Sequence, residues 1–118
     1  MAQEERSIIV SVIIPHHNNK QILVDCLDSL HQSIYKNFEI IVVDNASSDD
    51  SINGVRSNYP DITIIQSLKN LGYAGGCNLG AIDAKGEYLF FLNNDTTLDK
   101  SCIQKLVNKL ESDSKISS

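Results

Sequence analysis

The stretch Tyr88-Leu-Phe-Phe-Leu92 is followed without a break by Asn93-Asn94-Asp95. Five consecutive apolar and aromatic residues are typical of a strand buried in a sheet. In an open α/β sheet, ligands bind just beyond the carboxyl ends of the strands. A carboxylate flanked by amides at that place suits a divalent cation that also holds a phosphate. A polar turn in which Asp95 caps the next helix would explain the tripeptide equally well.

Three similar apolar runs precede this stretch, at residues 8–14, 38–43 and 62–65. Between the first two, apolar residues recur at helical spacing. We expect Pro15 to end the first strand, Gly86 to end a third helix, and Asp99 to cap a fourth. The order β-α-β-α-β-α-β-α predicts an α/β domain with a mostly parallel sheet and helices on both faces.

Composition limits the class of protein. The 118 residues are 42% hydrophobic and 21% charged, which fits one globular domain over 1–118. A net charge of −5 and a pI near 5.0 argue against a basic nucleic-acid-binding face. No apolar run approaches the roughly 20 residues of a membrane helix, and no signal-peptide pattern is visible. Three widely spaced cysteines suggest reduced, packed thiols, so we expect a cytoplasmic protein.

Polar clusters follow the first, second and fourth predicted strands, at residues 15–18, 44–48 and 93–95. Parallel strands place their carboxyl ends on one edge of the sheet, so these clusters should converge on one crevice. Asp44 could there accept hydrogen bonds from a base or a ribose, although it could also cap the following helix. The pattern therefore predicts a nucleotide site at this edge.

Two further motifs are less specific. His16 and His17 are neighbours on an extended chain, so their side chains should point to opposite sides, one packed and one facing solvent. The passage 70–80 lacks the Gly-x-Gly-x-x-Gly fingerprint. Its glycines Gly72, Gly75 and Gly76, placed ahead of a helix, would allow an anion to approach the helix N-terminus, or would simply form a turn at positive φ.

Together, four motifs resemble those of family 2 glycosyltransferases, inverting enzymes of the GT-A fold, with the rhamnosyltransferase-like branch nearest. The motifs are Val10-Ser-Val-Ile-Ile-Pro-His-His-Asn18, residues 41–51, residues 70–80 and Phe91-Leu-Asn-Asn-Asp95. They cover nearly the whole chain. The resemblance implies a truncated GT-A fold, a Rossmann-like three-layer α/β/α arrangement with strand order 3-2-1-4. The fourth strand would then be an exposed edge, which invites self-association.

The resemblance also implies roles for individual residues. Pro15 and Asn18 would line the nucleoside pocket, and Asp44 would bind the base, with Ser47 and Asp49 nearby. Asn70, Gly72 and Asn78 would shape the donor pocket. Asn93 and Asn94 would contact the donor. Asp95 would bind Mg²⁺ or Mn²⁺ bridging the donor diphosphate. Because Asn93 stands where the family motif begins with Asp, cation affinity without a nucleotide should be weak.

The resemblance places Ser118 about midway through such a domain. The catalytic base and most of the acceptor site would lie in the half that follows. The expected activity is transfer of a sugar, with inversion, from a nucleotide-diphosphate sugar to a hydroxyl of a saccharide or lipid-linked acceptor. Polysaccharide or cell-wall assembly, at the cytoplasmic face of the membrane, follows by analogy alone. This chain by itself should bind the donor nucleotide weakly and not transfer sugar.

Three alternatives stay open. A nucleotidyltransferase of related fold would show an early glycine-rich, basic signature, but residues 15–20 contain one lysine and no glycine. A receiver-like signalling module would carry its acidic cluster after the first strand, where this chain has histidines and asparagines. A degenerate, purely structural relative would fail to bind a nucleoside diphosphate.

Overall fold

The structure, a computed structural model, describes residues 9–117, with side chains described as far as Ser112. Its eight elements alternate between strand and helix. They are β1 (Val10–His16), α1 (Lys20–His31), β2 (Phe38–Asn45), α2 (Ser51–Asn58), β3 (Thr63–Ser67), α3 (Gly72–Asp83), β4 (Tyr88–Phe91) and α4 (Cys102–Ser117). The predicted alternation is confirmed; the part of the first predicted strand before residue 9 lies outside the described residues.

The four strands form one parallel sheet in the order β3-β2-β1-β4, as predicted. His16 at the end of β1 pairs with Asp44 at the end of β2. The pairing of β1 with β4 ends earlier, at Ile13 and Phe91. All four carboxyl ends therefore lie on one edge of the sheet, and the polar clusters follow them there.

Helices cover both faces of the sheet, giving three layers. The larger core includes Val12 and Ile14 of β1, packed with Leu27 of α1, Val55 of α2 and Ile103 of α4. The second core lies on the opposite face, where α3 covers a smaller cluster of sheet residues; its buried members are Ile13, Ile41 and Val43. Helix α1 buries the apolar face that its spacing predicts, at Leu23, Cys26, Leu27 and Leu30.

The prediction that Pro15 ends the first strand is wrong, because β1 continues through Pro15 to His16. The Ile13 carbonyl accepts a hydrogen bond from the Leu92 N–H, so the backbone groups of Ile13 point toward β4. The backbone groups of Pro15, two residues further on, also face the β4 side of the strand. However, β4 pairs with β1 only as far as Phe91. The missing N–H of proline therefore costs no ladder hydrogen bond.

The expected position of Gly72, Gly75 and Gly76 ahead of the third helix is also wrong, since α3 begins at Gly72 and contains all three. A Cβ at Gly76 would lie 2.9 Å from Pro15 Cβ, and one at Gly80 would lie 2.6 Å from Ile13 Cγ2. These glycines let α3 lie directly on the sheet. The helix ends at Asp83, short of the predicted stop at Gly86.

The remaining boundaries differ by a few residues. Strand β2 runs on through Asp44 to Asn45, and α4 begins at Cys102. Asp99 precedes α4 and accepts a hydrogen bond from the Ser101 N–H at 3.0 Å, so it organises the turn before the helix. The three cysteines are free thiols in helices, as expected, with two of them buried. Among residues 9–117, no helix has the length and apolar character to cross a bilayer.

Candidate functional site

A cleft of about 280 Å³ opens at the carboxyl edge of the sheet. Its lining comes from the ends of β1 and β2, the start of α3 and the loop after β4: Pro15, His16, His17, Asn45, Asn70, Gly72, Tyr73 and Asn94. Asp44 and Asp95 are the sequence neighbours of two lining residues, Asn45 and Asn94. A second cleft, of about 290 Å³, lies at the amino end of β2 near Leu30 and Phe38. The predicted convergence of polar loops occurs at the first cleft.

The loops after β1 and β2 are joined by a network that we term the loop clasp, formed by Asn18, Asn19, Ser47, Ser48 and Asp49. The Asn18 Oδ1 atom accepts hydrogen bonds from the backbone N–H groups of Ser48 at 2.8 Å and Asp49 at 3.2 Å. The Asn18 N–H donates to Ser47 Oγ at 2.8 Å, and the Asn19 N–H donates to Asp49 Oδ2 at 2.7 Å. Asn18, Ser47 and Asp49, all predicted binding residues, therefore organise the backbone beside the cleft.

The two loops that the clasp joins contain three non-glycine residues with positive φ. Asn18 and Asn19 have φ values of 58° and 71°, and Ala46 has φ of 57°. Asparagine visits this left-handed region readily, whereas for alanine it costs about 1–2 kcal/mol. Such strain persists only where surrounding contacts fix the backbone, commonly at functional sites. Both loops are therefore held in one defined conformation.

Asp49 carries the charge of the clasp. Its carboxylate accepts hydrogen bonds from the Ser51 hydroxyl and, at 3.0 Å, from the Ser51 N–H. These bonds, the Ser51 hydroxyl first, together with the Asn19 N–H, lower the pKa of Asp49 despite a smaller opposing effect of desolvation. The ionised carboxylate is therefore the form that secures the two loops.

Asp44 lies where the sequence predicts, at the end of β2. Its side chain is only 3% exposed, and its Oδ1 atom accepts a hydrogen bond from the Ser47 N–H at 3.2 Å. Paired residues of parallel strands present their side chains on the same face, so Asp44 stands beside His16. A buried carboxylate at this rim is a strong acceptor for a ligand donor.

Asn45, which the sequence analysis did not single out, ties β2 to α3. Its Nδ2 donates to the Gly72 carbonyl at 3.1 Å, and its Oδ1 accepts from the Leu71 N–H at 3.3 Å. Gly72 has φ of 76°, so the positive-φ turn considered for this passage occurs there. Asn70 also holds the turn, since its Oδ1 accepts from the Gly72 N–H at 2.9 Å. Asn78 is exposed further along α3 and lies outside the cleft lining.

The two histidines differ as expected. His17 is exposed, and its Nδ1 lies 2.6 Å from the Asn45 carbonyl, to which it donates. His16 is 1% exposed, and its Nδ1 lies 2.9 Å from Asn94 Nδ2. Burial lowers the pKa of His16, and the nearby Asp44 and Asp49 carboxylates only partly oppose this. His16 is therefore a neutral imidazole near pH 7.

The loop after β4 carries Asp95 between the sheet and α4. Asn93 and Asp95 are exposed, while Asn94 is half-buried and reaches the cleft. Within the described part of the chain, no three His, Cys, Asp or Glu side chains cluster closely enough to hold a metal ion. One carboxylate with neighbouring amides does not make a preformed cage. It fits a Mg²⁺-type cation that takes most of its oxygen ligands from a diphosphate and water.

Cys26 of α1 lies near this loop. Burial raises the pKa of its thiol to about 11, and the Asp95 charge adds to that effect. The thiol therefore stays protonated, and a protonated thiol is a poor metal ligand. Of these two groups, Asp95 is the better suited to a hard cation.

Sequence comparison identifies relatives over nearly the whole chain. The family model for glycosyl transferase family 2 matches residues 11–117. An uncharacterized glycosyltransferase of Haemophilus influenzae is 32% identical over 103 residues, which are 87% of this chain and 35% of the relative. The amylovoran biosynthesis glycosyltransferase AmsB of Erwinia amylovora is 32% identical over 111 residues, which cover 90% of this chain and 37% of AmsB. The chain thus spans little more than a third of the length of these relatives.

Solved structures share the fold. S. aureus TarS (residues 1–349) in complex with UDP superposes with a TM-score of 0.81 at 25% identity, covering 88% of this chain and 32% of that one. The mannosyltransferase PcManGT of Pyrobaculum calidifontis, in complex with GDP-Man and Mn²⁺, superposes with a TM-score of 0.76 at 26% identity. The match covers 84% of this chain and 31% of that one. With its parallel 3-2-1-4 sheet and a family match over residues 11–117, the chain belongs to glycosyltransferase family 2 and has the GT-A fold.

Proposed function

We propose that this chain binds the nucleotide of a nucleotide-diphosphate sugar at the carboxyl edge of its sheet, as the donor site of a glycosyltransferase. The observation that carries the proposal is the convergence of three strand ends and the start of α3 on one cleft, with Asp44 and Asp95 next in sequence to its lining residues Asn45 and Asn94. Two structural relatives were solved with nucleotides, TarS with UDP and PcManGT with GDP-Man. The proposal extends that class of ligand to this chain.

Different residues at the cleft contact different parts of the nucleotide. The Asp44 carboxylate accepts hydrogen bonds from the base or the ribose. The exposed His17 ring, held by the Asn45 carbonyl, offers a flat surface to the base. The first turn of α3 begins at the cleft, where backbone N–H groups without intrahelical acceptors favour the negative diphosphate. The loop clasp fixes the backbone on which these groups stand.

Asp95 would hold Mg²⁺ or Mn²⁺ against the donor diphosphate, with Asn93 and Asn94 beside it. When bound, such a cation offsets the charge that develops on the leaving diphosphate. The PcManGT complex contains Mn²⁺, which supports a cation in this family of sites. Because Asn93 and Asn94 are uncharged, Asp95 supplies the only anionic charge of this tripeptide. Cation binding should therefore depend on the nucleotide.

The reaction that we propose for the complete enzyme is transfer with inversion to a hydroxyl of a saccharide or lipid-linked acceptor. The motifs favour a rhamnosyltransferase-like enzyme, and relatives such as AmsB support a role in polysaccharide or cell-wall assembly. We place that enzyme in the cytoplasm, working at the membrane face. Residues 1–118 are proposed to be its donor-binding half, with the base and most of the acceptor site elsewhere, so this chain alone binds the donor without transferring sugar.

We also propose that the chain associates with itself through β4. Within the described sheet, β4 pairs on one side with β1, and its other edge is free of strand partners. Leu89 and Phe91 on this strand are 44% and 41% exposed. An apolar edge of this kind pairs readily with another chain.

Calorimetric titration with UDP, GDP and dTDP, each with and without Mn²⁺, tests the donor site. Asp95→Ala should abolish the strengthening of affinity by Mn²⁺ and leave cation-free binding intact. Asp44→Ala should weaken binding about 10–100-fold with or without cation, because a hydrogen bond to a charged group is lost. Asp61→Ala, an exposed carboxylate in the turn between α2 and β3, is the control and should bind as the parent does.

Two results would contradict the proposal. Failure of all three nucleotides to bind would leave a structural relative without donor affinity. Binding that neither Asp44→Ala nor Asp95→Ala alters would place the nucleotide elsewhere on the molecule.

A further inference from the structure

We propose that His16 is a positioning residue for the loop Asn93–Asp95. Its Nδ1 atom accepts a hydrogen bond from the Asn94 side-chain amide at 2.9 Å, and this bond fixes where Asp95 presents its carboxylate. The inference rests on the proposed donor site, because it names the group that holds the cation-binding loop in register with the nucleotide cleft.

The sheet itself does not hold this loop. The pairing of β4 with β1 ends at Phe91, and the last backbone hydrogen bond between them joins the Leu92 N–H to the Ile13 carbonyl at 2.9 Å. His16 lies three residues beyond Ile13, at the end of β1. In the described part of the chain, its contact with Asn94 is the next hydrogen bond that joins the loop to β1. Further along, the loop is held to α1, where the Leu98 N–H donates to Ser29 Oγ at 3.0 Å. The position of Asn93–Asp95 relative to β1 therefore depends on the pair of His16 and Asn94.

The geometry defines the tautomer of His16. The Asn94 Nδ2 atom is only a donor, so the Nδ1 atom that faces it must carry a lone pair and the ring proton must be on Nε2. Nε2 is buried and has no hydrogen-bond partner among the residues that the structure describes. Buried donors are rarely left in this state. An apolar side chain at this position would avoid the cost of burying Nε2–H without an acceptor. We therefore attribute the role of the ring to its other nitrogen, Nδ1, which is bonded to Asn94.

The surroundings keep Nδ1 an acceptor. Burial lowers the pKa of His16 more than the Asp44 and Asp49 carboxylates raise it, and His17 adds to the lowering. A neutral imidazole retains the lone pair that Asn94 needs. His17 next to it has the opposite tautomer, since its Nδ1 donates to the Asn45 carbonyl.

Nitrogen-15 NMR of the parent chain tests the geometry without any ligand. Long-range ¹H–¹⁵N spectra near pH 7 should show the Nε2–H tautomer for His16 and the Nδ1–H tautomer for His17. A His16 ring protonated on Nδ1 would overturn the proposal, because it could not accept from the Asn94 amide.

Two substitutions test the role of the bond. The oxygen of Asn can occupy the place of Nδ1, whereas the amide of Gln reaches the place of Nε2 and leaves Nδ1 without an equivalent. The quantity to measure is the ratio of UDP affinities with and without Mn²⁺. His16→Asn should retain this ratio, and His16→Gln should reduce it by about fivefold or more, a typical coupling between two ligands. The control, His31→Gln at the end of α1, should keep it.

A double substitution shows whether His16 acts through Asn94. In an Asn94→Ala background, His16→Gln should cause no further change in the Mn²⁺ ratio, because the two residues act as one unit. Additive losses would overturn the proposal, as would an unchanged ratio in His16→Gln alone. If the parent chain binds UDP with a Mn²⁺ effect, those results contradict only the inference about His16. If the parent chain binds no nucleotide, the donor site itself fails and the inference fails with it.

Discussion

At the scale of single residues, Asn45 shows how one buried amide sets the shape of the cleft. It is 3% exposed and uses both ends of its side chain, donating to the Gly72 carbonyl and accepting from the Leu71 N–H. Its own carbonyl accepts from His17. The end of β2, the start of α3 and one wall of the cleft are therefore connected through a single residue.

Replacement of this amide should destabilise the fold. Asn45→Ala removes two hydrogen bonds and leaves backbone groups near Leu71 and Gly72 without these partners, which should lower the free energy of unfolding by about 2 kcal/mol. Urea unfolding followed by circular dichroism measures this. Asn58→Ala, at an exposed end of α2, is the matched control and should change stability little. Equal stability of the two variants would show that the Asn45 contacts carry no net energy.

The ionised Asp49 carboxylate makes stability depend on pH. Because its pKa is lowered in the folded state, Asp49 stabilises the fold above its unfolded pKa of about 4 and loses this contribution as pH falls through the lower folded value. The difference in unfolding free energy between the parent and Asp49→Asn should therefore shrink on acidification from pH 6 to the unfolding limit. Asp61→Asn is the control for the general effect of removing an exposed carboxylate. If the difference in unfolding free energy between the parent and Asp49→Asn stayed constant with pH, the role of the Asp49 charge would be contradicted.

The sequence predicted the positions of Asp44 and Asp95 because Asp44 directly follows an apolar run and Asp95 lies three residues after another. The end of a strand can be located from such a run without knowing any contact distant in sequence. It did not predict what His16 and Asn45 do. Their partners lie 78 and 26 residues away, and only the packed sheet brings those side chains together. The clasp was missed for the same reason, since Asn18 and Asp49 looked equally suited to a ligand until their hydrogen bonds to each other's loops were known.

At the scale of elements, α3 is a helix that its glycines disfavour and its packing stabilises. Glycine costs about 1 kcal/mol relative to alanine in a helix interior, which disfavours a helix that contains Gly75, Gly76 and Gly80. In the fold, Gly76 and Gly80 face the sheet, where any side chain would collide with β1. Tertiary contact outweighs local propensity here, which is why the sequence placed the start of this helix too late.

Alanine at two helical glycines should have opposite effects. Gly80→Ala places a Cβ 2.6 Å from Ile13 Cγ2 and 3.0 Å from Val43 Cγ2, so it should destabilise the protein by about 1–3 kcal/mol despite better helix propensity. Gly54→Ala in α2 meets only the flexible end of Lys20 and should be neutral or stabilising by up to about 1 kcal/mol. Thermal unfolding of both variants measures the difference. A stable Gly80→Ala would mean that α3 can move away from the sheet at little cost.

At the scale of the whole molecule, the alternation of apolar runs and helical patterns was enough to predict a parallel three-layer domain. The strand order came from the family resemblance, and the structure confirms it. That order makes β1 the strand that joins β2 to β4 and leaves β4 at an edge. Sequence patterns record burial along the chain but not which strand lies beside which, so topology could not be derived from periodicity alone.

The exposed edge of β4 should make the chain self-associate. Sedimentation velocity at micromolar concentration should show dimers or larger species, because Leu89 and Phe91 expose apolar surface beside unpaired backbone. Leu89→Lys should shift the distribution toward monomer, since charge on an edge strand opposes pairing. Leu68→Lys makes the same change of charge on the loop after β3 and is the control. A monomeric parent chain would refute this expectation.

The short β4 strand has a consequence for transient opening. It comprises four residues and is hydrogen-bonded to one neighbouring strand, β1, whereas β1 and β2 each have a neighbouring strand on both sides. Its amides should therefore exchange with deuterium sooner than those of β1. A brief detachment of β4 would carry Asp95 away while Asp44 stayed in place. On warming, the chain should lose its response to Mn²⁺ while its affinity for the nucleoside persists.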